Sequence, residues 1–111
     1  MNKMERQRYI LFKIIQVPHS KLVAFNKKEF LNILWNIIWD YFGMNTASRI
    51  GLYLHSLNEN FGIIRCSHKT KEIMISALTL LKKIDNQRII VSPVKTSGIL
   101  RKVLNAADNL N

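Results

Sequence analysis

The segment Arg8–Val17 (Arg-Tyr-Ile-Leu-Phe-Lys-Ile-Ile-Gln-Val) constrains this chain more than any other. Aromatic and β-branched residues dominate it and Pro18 stops it, which predicts a strand. Alternation gives it one face with Ile10, Phe12 and Ile14, and another with Tyr9, Leu11, Lys13 and Ile15. Neither face is purely polar, so the strand is expected at the centre of its sheet.

The rest of the chain supplies elements to surround it. Lys27–Phe42 reads as a helix with Asn26 as N-cap and Gly43 just past its end. Phe30, Ile33, Leu34, Ile37 and Tyr41 form its inward stripe, while Trp35, Trp39, Leu31 and Phe42 widen the apolar arc to one side. Ile50–Leu57 and Phe61–Ser67 flank Asn58-Glu59-Asn60 as a hairpin. A second helix fits Thr70–Ile84, with Ile73, Ala77, Leu80, Leu81 and Ile84 inward. Lys82 and Lys83 in its last turn would complement the helix dipole. Asp85-Asn86-Gln87 turns into a fourth strand, Arg88–Val94, where Pro93 suits an edge or a terminus. Ser97 is placed to cap a third helix, from about Gly98 to Ala107.

This order predicts an α+β fold: a ferredoxin-like or RNA-recognition-motif-like sandwich. Four antiparallel strands carry two packed helices on one face, followed by a C-terminal helix. A length of 111 residues makes residues 1–111 one domain.

Charge narrows the partner. There are 17 Lys and Arg against 7 Asp and Glu, a formal charge of +10. Residues 1–30 carry +5, residues 31–60 carry −1 and residues 61–111 carry +6. Two basic ends bracket an apolar, nearly neutral middle, which favours a polyanion at the ends, most simply nucleic acid. Lys3, Arg6 and Arg8 ahead of an apolar run look briefly like a signal peptide. Lys13 interrupts that run and no small-residue cleavage site follows. No apolar stretch is long enough to span a membrane.

Several chemistries lack their residues. Cys66 is the one cysteine, so neither an intrachain disulfide nor a multi-Cys zinc site is available. The four glycines are scattered, without a P-loop or dinucleotide fingerprint. A metal nuclease needs clustered carboxylates, and these acids are dispersed. Cys66 and His68, two apart at a strand end, are conceivable as a nucleophile pair. A buried thiol beside a loop histidine is the preferred reading. His19 and His55 show no partner pattern. No catalytic residue, bound cofactor or metal is assigned to the protein.

Sheet-face recognition of single-stranded RNA needs aromatics on the middle strands. Phe61–Ser67 lacks the paired aromatics, and for Tyr9 and Tyr53 core or partner packing is preferred over base stacking. Lys and Arg on loops and helix starts meeting phosphates of a structured RNA fit better. The strongest local site is Lys95-Thr96-Ser97-Gly98-Ile99-Leu100-Arg101-Lys102: a helix start with free N–H donors, a glycine for close approach and three basic side chains. An ordinary Ser cap with solvated charges stands beside that reading. Arg65, mid-strand in an apolar run, requires a carboxylate, phosphate or solvent partner. Trp35 and Trp39 together, with Leu31 and Phe42, point to a protein interface.

Four segments in order resemble the Pop-five protein-subunit family of ribonuclease P and ribonuclease MRP, which includes the archaeal protein component two. They are Arg6-x-Arg-Tyr-Ile-Leu-Phe12, Gly62-Ile-Ile-Arg-Cys-Ser-His68, Ala77-Leu-Thr79 and Ser97-Gly-Ile-Leu-Arg-Lys102. The last is similar to the family's Ser-Gly-Thr-Ile-basic signature, with Ile99 where Thr is usual. The resemblance implies an RNA-recognition-like sandwich. It implies a non-catalytic subunit that stabilises a catalytic RNA removing 5′ leaders from precursor tRNA or, in the related particle, processing precursor ribosomal RNA. Magnesium is then held by the RNA, a TIM-barrel-like subunit of the particle is a partner, and precursor tRNA is met indirectly. Arg8, Arg65, His68, Ser97, Gly98, Arg101 and Lys102 are the implied RNA contacts, with Lys95 added from its place beside them. The implied location is the nucleus or nucleolus in a eukaryote and the cytoplasm in an archaeon. The alternatives are a ferredoxin-like protein-interaction adaptor, whose charge serves solubility, and a sister subunit of similar fold.

Overall fold

The strand at Gln7–Val17 (β1) lies third in a five-stranded antiparallel sheet. The computed structural model describes residues 6–17, 25–84 and 86–110. The neighbours of β1 are Phe61–Ser67 (β3) on one side and Gln87–Ser97 (β5) on the other. Tyr53–Leu57 (β2) and the short Lys83–Ile84 (β4) close the order β2-β3-β1-β5-β4. The helices are Lys27–Arg49 (α1), Lys71–Leu80 (α2) and Leu100–Asp108 (α3). The expected sandwich is present, with one more strand than the sequence reading assigned.

β1 is buried on both faces only around Ile10–Phe12. Beyond that, Ile14 and Gln16 stay buried on one face while Lys13, Ile15 and Val17 on the other are exposed. Ile10, Phe12 and Ile14 join Phe30, Leu34 and Ile38 of α1 and Met74, Ala77 and Leu78 of α2 in the main core. The Phe12 and Phe30 rings stack with centroids 5.7 Å apart. Leu11 turns the other way and, with Phe61 and Ile63, is covered by Val103 and Ala107 of α3. The third helix therefore covers part of the face opposite the first two.

The cap of α1 is as expected: Asn26 Oδ1 accepts from the backbone N–H of Lys28 (2.8 Å) and Glu29 (3.2 Å). The helix does not stop at Phe42. Gly43 takes φ 85°, ψ 174°, which breaks the helical path, and a second helical segment continues to Arg49, burying Ala47. The inward row is Phe30, Leu34 and Ile38 at strict i, i+4 spacing, so Tyr41 faces solvent at 66% exposure instead of joining the core.

The second helix is shorter than its apolar pattern suggested. At Leu81 the backbone becomes extended (φ −79°, ψ 114°), and Lys83 and Ile84 pair with Arg88 and Gln87. Lys82 and Lys83 therefore do not complement a helix C-terminus. Met74 and Leu78 are buried where Ile73 and Leu80 were expected, while Leu81 and Ile84 reach the core from extended chain. Tertiary pairing overrides a helical pattern here, and Asn86 makes the turn with φ 67°. Asp85, Pro18, His19 and Lys3 lie outside the described residues.

The hairpin forms, but its first arm starts at Tyr53 instead of Ile50, because α1 runs to Arg49 and Ile50 is its C-cap. Asn58 Oδ1 accepts from the N–H of Asn60 (2.8 Å) and Phe61 (2.9 Å). β5 continues past Val94 to Ser97. Pro93 opposes Phe12 and Lys95 opposes Leu11, so Val94 is left over as a bulge that accommodates the proline. Among the described residues no helix is long and apolar enough to cross a membrane.

Candidate nucleic-acid interface

Antiparallel pairing brings distant basic segments to one end of the sheet. The start of β1, the end of β3 and the end of β5 meet there: Arg8 opposes Cys66, and Tyr9 opposes both Arg65 and Ser97. Beyond the last pair, the His68 N–H donates to the Arg6 carbonyl at 2.7 Å. Arg8 Nη1 donates to the Gln7 carbonyl (2.9 Å), and its guanidinium lies over Gly98 so closely that a Cβ there would stand 2.8 Å from Nη1. Three of the four resemblance segments thus share one surface. The fourth, Ala77-Leu-Thr79, is in α2, where Ala77 and Leu78 are core.

Around this junction His68, Lys69, Arg101 and Lys102 are exposed, with Lys95 two pairs further along β5, opposite Leu11. The ion pair found among the described residues is Lys71 with Glu72, at 3.6 Å. Among the described residues, the other basic groups of this end have no carboxylate in salt-bridge reach. Fixed positive side chains facing water are what phosphate oxygens neutralise.

Ser97 does not cap a helix beginning at Gly98. Its pairing with Tyr9 holds it in β5, and its Oγ accepts the N–H of Ile99 at 3.0 Å. α3 starts at Leu100 behind Ile99, which makes no side-chain cap. The serine instead shapes the two-residue link between strand and helix, and that link sets where Arg101 and Lys102 emerge.

Arg65 is half-buried, its guanidinium 4.9 Å from the centre of the Tyr53 ring. Its Nε is buried with no hydrogen-bond partner among the described residues. The partner its sequence position required is thus met only in part, by an aromatic face.

Cys66 is fully buried, and burial pushes its thiol up to about 11; Thr70, Lys71 and Arg8 pull weakly the other way. It stays protonated at neutral pH and is no partner for His68, which is exposed. Nearby, the buried hydroxyls of Ser67 and Thr70, 2.6 Å apart, serve the carbonyls of Arg49 and Ile50 and tie α1 to the end of β3. Among the described residues no three His, Cys, Asp or Glu side chains gather where they could hold a metal ion.

The tryptophans lie far along α1 from these strand ends in sequence, and they differ. Trp39 is 48% exposed, whereas Trp35, Leu31 and Phe42 are half-buried and lean on the main core. Trp35 and Trp39 line an open recess of about 380 Å³ with Met44, Ala47 and Ser48, beyond the break at Gly43. The sequence reading missed Met44, because the helix was ended before it. It also missed the exposure of Tyr53, Ile15 and Ile90 on the sheet; an apolar strand residue gives no sign of whether a helix will cover it.

The chain is similar to known proteins over most of its length. The model of the Rpp14/Pop5 family matches residues 8–107. Ribonuclease P/MRP protein subunit POP5 of Saccharomyces cerevisiae is 32% identical, the match covering 88% of this chain and 70% of that protein. Ribonuclease P protein component 2 of Pyrococcus furiosus is 28% identical over 89% of this chain and 80% of its own length. A chain in the cryo-EM structure of yeast ribonuclease MRP superposes with a TM-score of 0.65 over 98% of this chain and 96% of that one, at 15% identity, a likeness of fold.

Proposed function

This chain belongs to the Rpp14/Pop5 family, and from that premise we propose that it is a non-catalytic protein subunit of a ribonuclease P or MRP ribonucleoprotein. It binds and steadies the particle's RNA, which carries out 5′ leader removal from precursor tRNA and, in the MRP particle, precursor-rRNA processing. The observation that carries this reading is the meeting of Arg8, His68, Ser97 and Gly98 at one end of the sheet, with Arg101 and Lys102 emerging beside them.

Each residue has a simple part. Arg101, Lys102, His68 and Lys95 face solvent and meet phosphates. Arg8 is held by the Gln7 carbonyl, so its guanidinium is presented already oriented, at little entropic cost on binding. Gly98 leaves room for that pose and for close approach of a ribose-phosphate backbone. Magnesium belongs on the RNA in this reading. Trp39 and Trp35, at their recess, face a protein partner, proposed to be a TIM-barrel-like subunit of the same particle. Precursor tRNA is reached through the RNA, with no membrane contact; the site of action is nuclear or nucleolar in a eukaryote and cytoplasmic in an archaeon.

Reconstitution tests it. The particle's RNA and remaining proteins are assembled with and without this chain, and leader cleavage is followed. Omission should slow cleavage and weaken assembly, and no change in either defeats the proposal. An adaptor of the same fold would show little RNA affinity even at low salt.

A further inference from the structure

Tyr53, Arg65, Tyr9 and Ser97 occupy paired positions in four adjacent strands, β2, β3, β1 and β5. They form one row on the face that carries α3. At about 4.8 Å per strand the row is roughly 14 Å long. Tyr9 packs with Leu100 against the cluster under α3, so that end is covered. The other end is open, with Tyr53 52% exposed on the edge strand. Between them stands Arg65, stacked on the Tyr53 ring, its buried Nε lacking a partner among the described residues. Buried donors are ordinarily paired, and no carboxylate pairs with Arg65 among the described residues.

We propose that Tyr53 and Arg65 form a stacking step for one unpaired nucleobase of an RNA. The inference rests on the RNA-binding reading above and adds which part of the RNA is read. An exposed tyrosine backed by a guanidinium offers a flat aromatic surface held in place from behind. A base would lie on the free side of the ring, opposite the guanidinium. Every base has such a face, so the contact is tolerant of sequence but needs a base outside a duplex. The row ends at Ser97, beside the phosphate-binding end of the sheet. α3 covers the middle strands, which limits the stack to this edge.

The test uses the 111-residue chain and two RNA probes of equal stem: a hairpin with a purine-rich loop and a blunt, fully paired duplex. Affinities are measured over a range of salt for the parent, Tyr53→Ala, Tyr53→Phe and Arg65→Lys, with circular dichroism on each. Tyr53→Ala is expected to weaken the hairpin roughly tenfold and leave the duplex unchanged. Tyr53→Phe should keep hairpin affinity, and Arg65→Lys should lose most of it while keeping its charge. Equal losses on both probes, or none with Tyr53→Ala, overturn the step while leaving RNA binding standing. Loss of a protein partner with RNA affinity intact assigns the surface to protein instead and also overturns it. Absence of binding to either probe at low salt removes the RNA reading itself.

Discussion

The guanidinium of Arg8, at the start of β1, lies over the backbone of Gly98, at the end of β5, where a methyl group would stand 2.8 Å from Arg8 Nη1. Ninety residues of sequence separate the two. The antiparallel register, which sets Tyr9 against Ser97, brings them together.

Gly98→Ala should therefore act through Arg8. The Gly98 backbone lies outside the left-handed region, and the clashing atom is the end of a flexible side chain, so the fold should tolerate the methyl to within about 1 kcal/mol. Arg8 must swing away. RNA affinity should fall about as far as in Arg8→Ala, and the double variant should be little worse than either single one. Additive losses in that cycle would show the two act separately.

Arg101→Ala with Lys102→Ala should lower RNA affinity without altering thermal unfolding, because both side chains are exposed. If each meets one phosphate, the plot of log affinity against log salt should become shallower by roughly 1.4 to 1.8. An unchanged slope would return both residues to plain solvation.

Gly62→Ala should be a stability variant with no direct effect on binding. A Cβ on Gly62 runs into the Phe12 ring and comes within 3.1 Å of Leu57 Cδ1. Phe12 is stacked on Phe30 and cannot withdraw. Overpacking of this kind costs about 1–3 kcal/mol, read as a lowered denaturant midpoint.

Cys66 gives a pH dependence. Its thiol is raised from 9.0 to about 11 in the folded chain by burial. Below pH 9 both folded and unfolded forms keep the proton and nothing changes. Between pH 9 and 11 only the unfolded chain releases it, so stability from this group falls as pH rises, by roughly 2–3 kcal/mol at the upper end. Cys66→Ala should flatten that part of the profile. A thiol-directed disulfide reagent at pH 8 should label the parent at the rate of unfolding.

Trp39→Ala should leave folding and RNA binding intact and weaken association with a protein subunit, as half of its surface faces solvent. Trp35→Ala should cost stability as well, since Trp35 leans on the core. Pull-down of the particle's proteins with each variant separates the two, and unfolding of both would make the pair core residues.

Much of the fold is legible in the residues because its signals are local. Asn26 caps α1, Asn58 closes the hairpin, and the two apolar faces of Arg8–Val17 mark a strand between neighbours. The errors fall where distant pairing outvotes a local pattern. Lys83 and Ile84 leave a helical repeat because Arg88 and Gln87 offer them a ladder, and Ser97 is kept from a helix by Tyr9. Gly43 ends a helix by every local rule, yet the chain resumes one because Ala47 finds a place in the core.

The basic residues and their motifs were present in the sequence, and so was their excess over acids. Sequence alone determined that this is an α+β sandwich with a formal charge of +10, since periodicity and net charge survive without coordinates. Which charges stand together was decided by the tertiary structure. Register across β3, β1 and β5 carries Arg8, His68 and Gly98 to one end of the sheet, and the packing of α3 leaves Tyr53 exposed at its edge beside the half-buried Arg65. Contact between residues far apart in the chain depends on pairing and burial, and no local pattern encodes either.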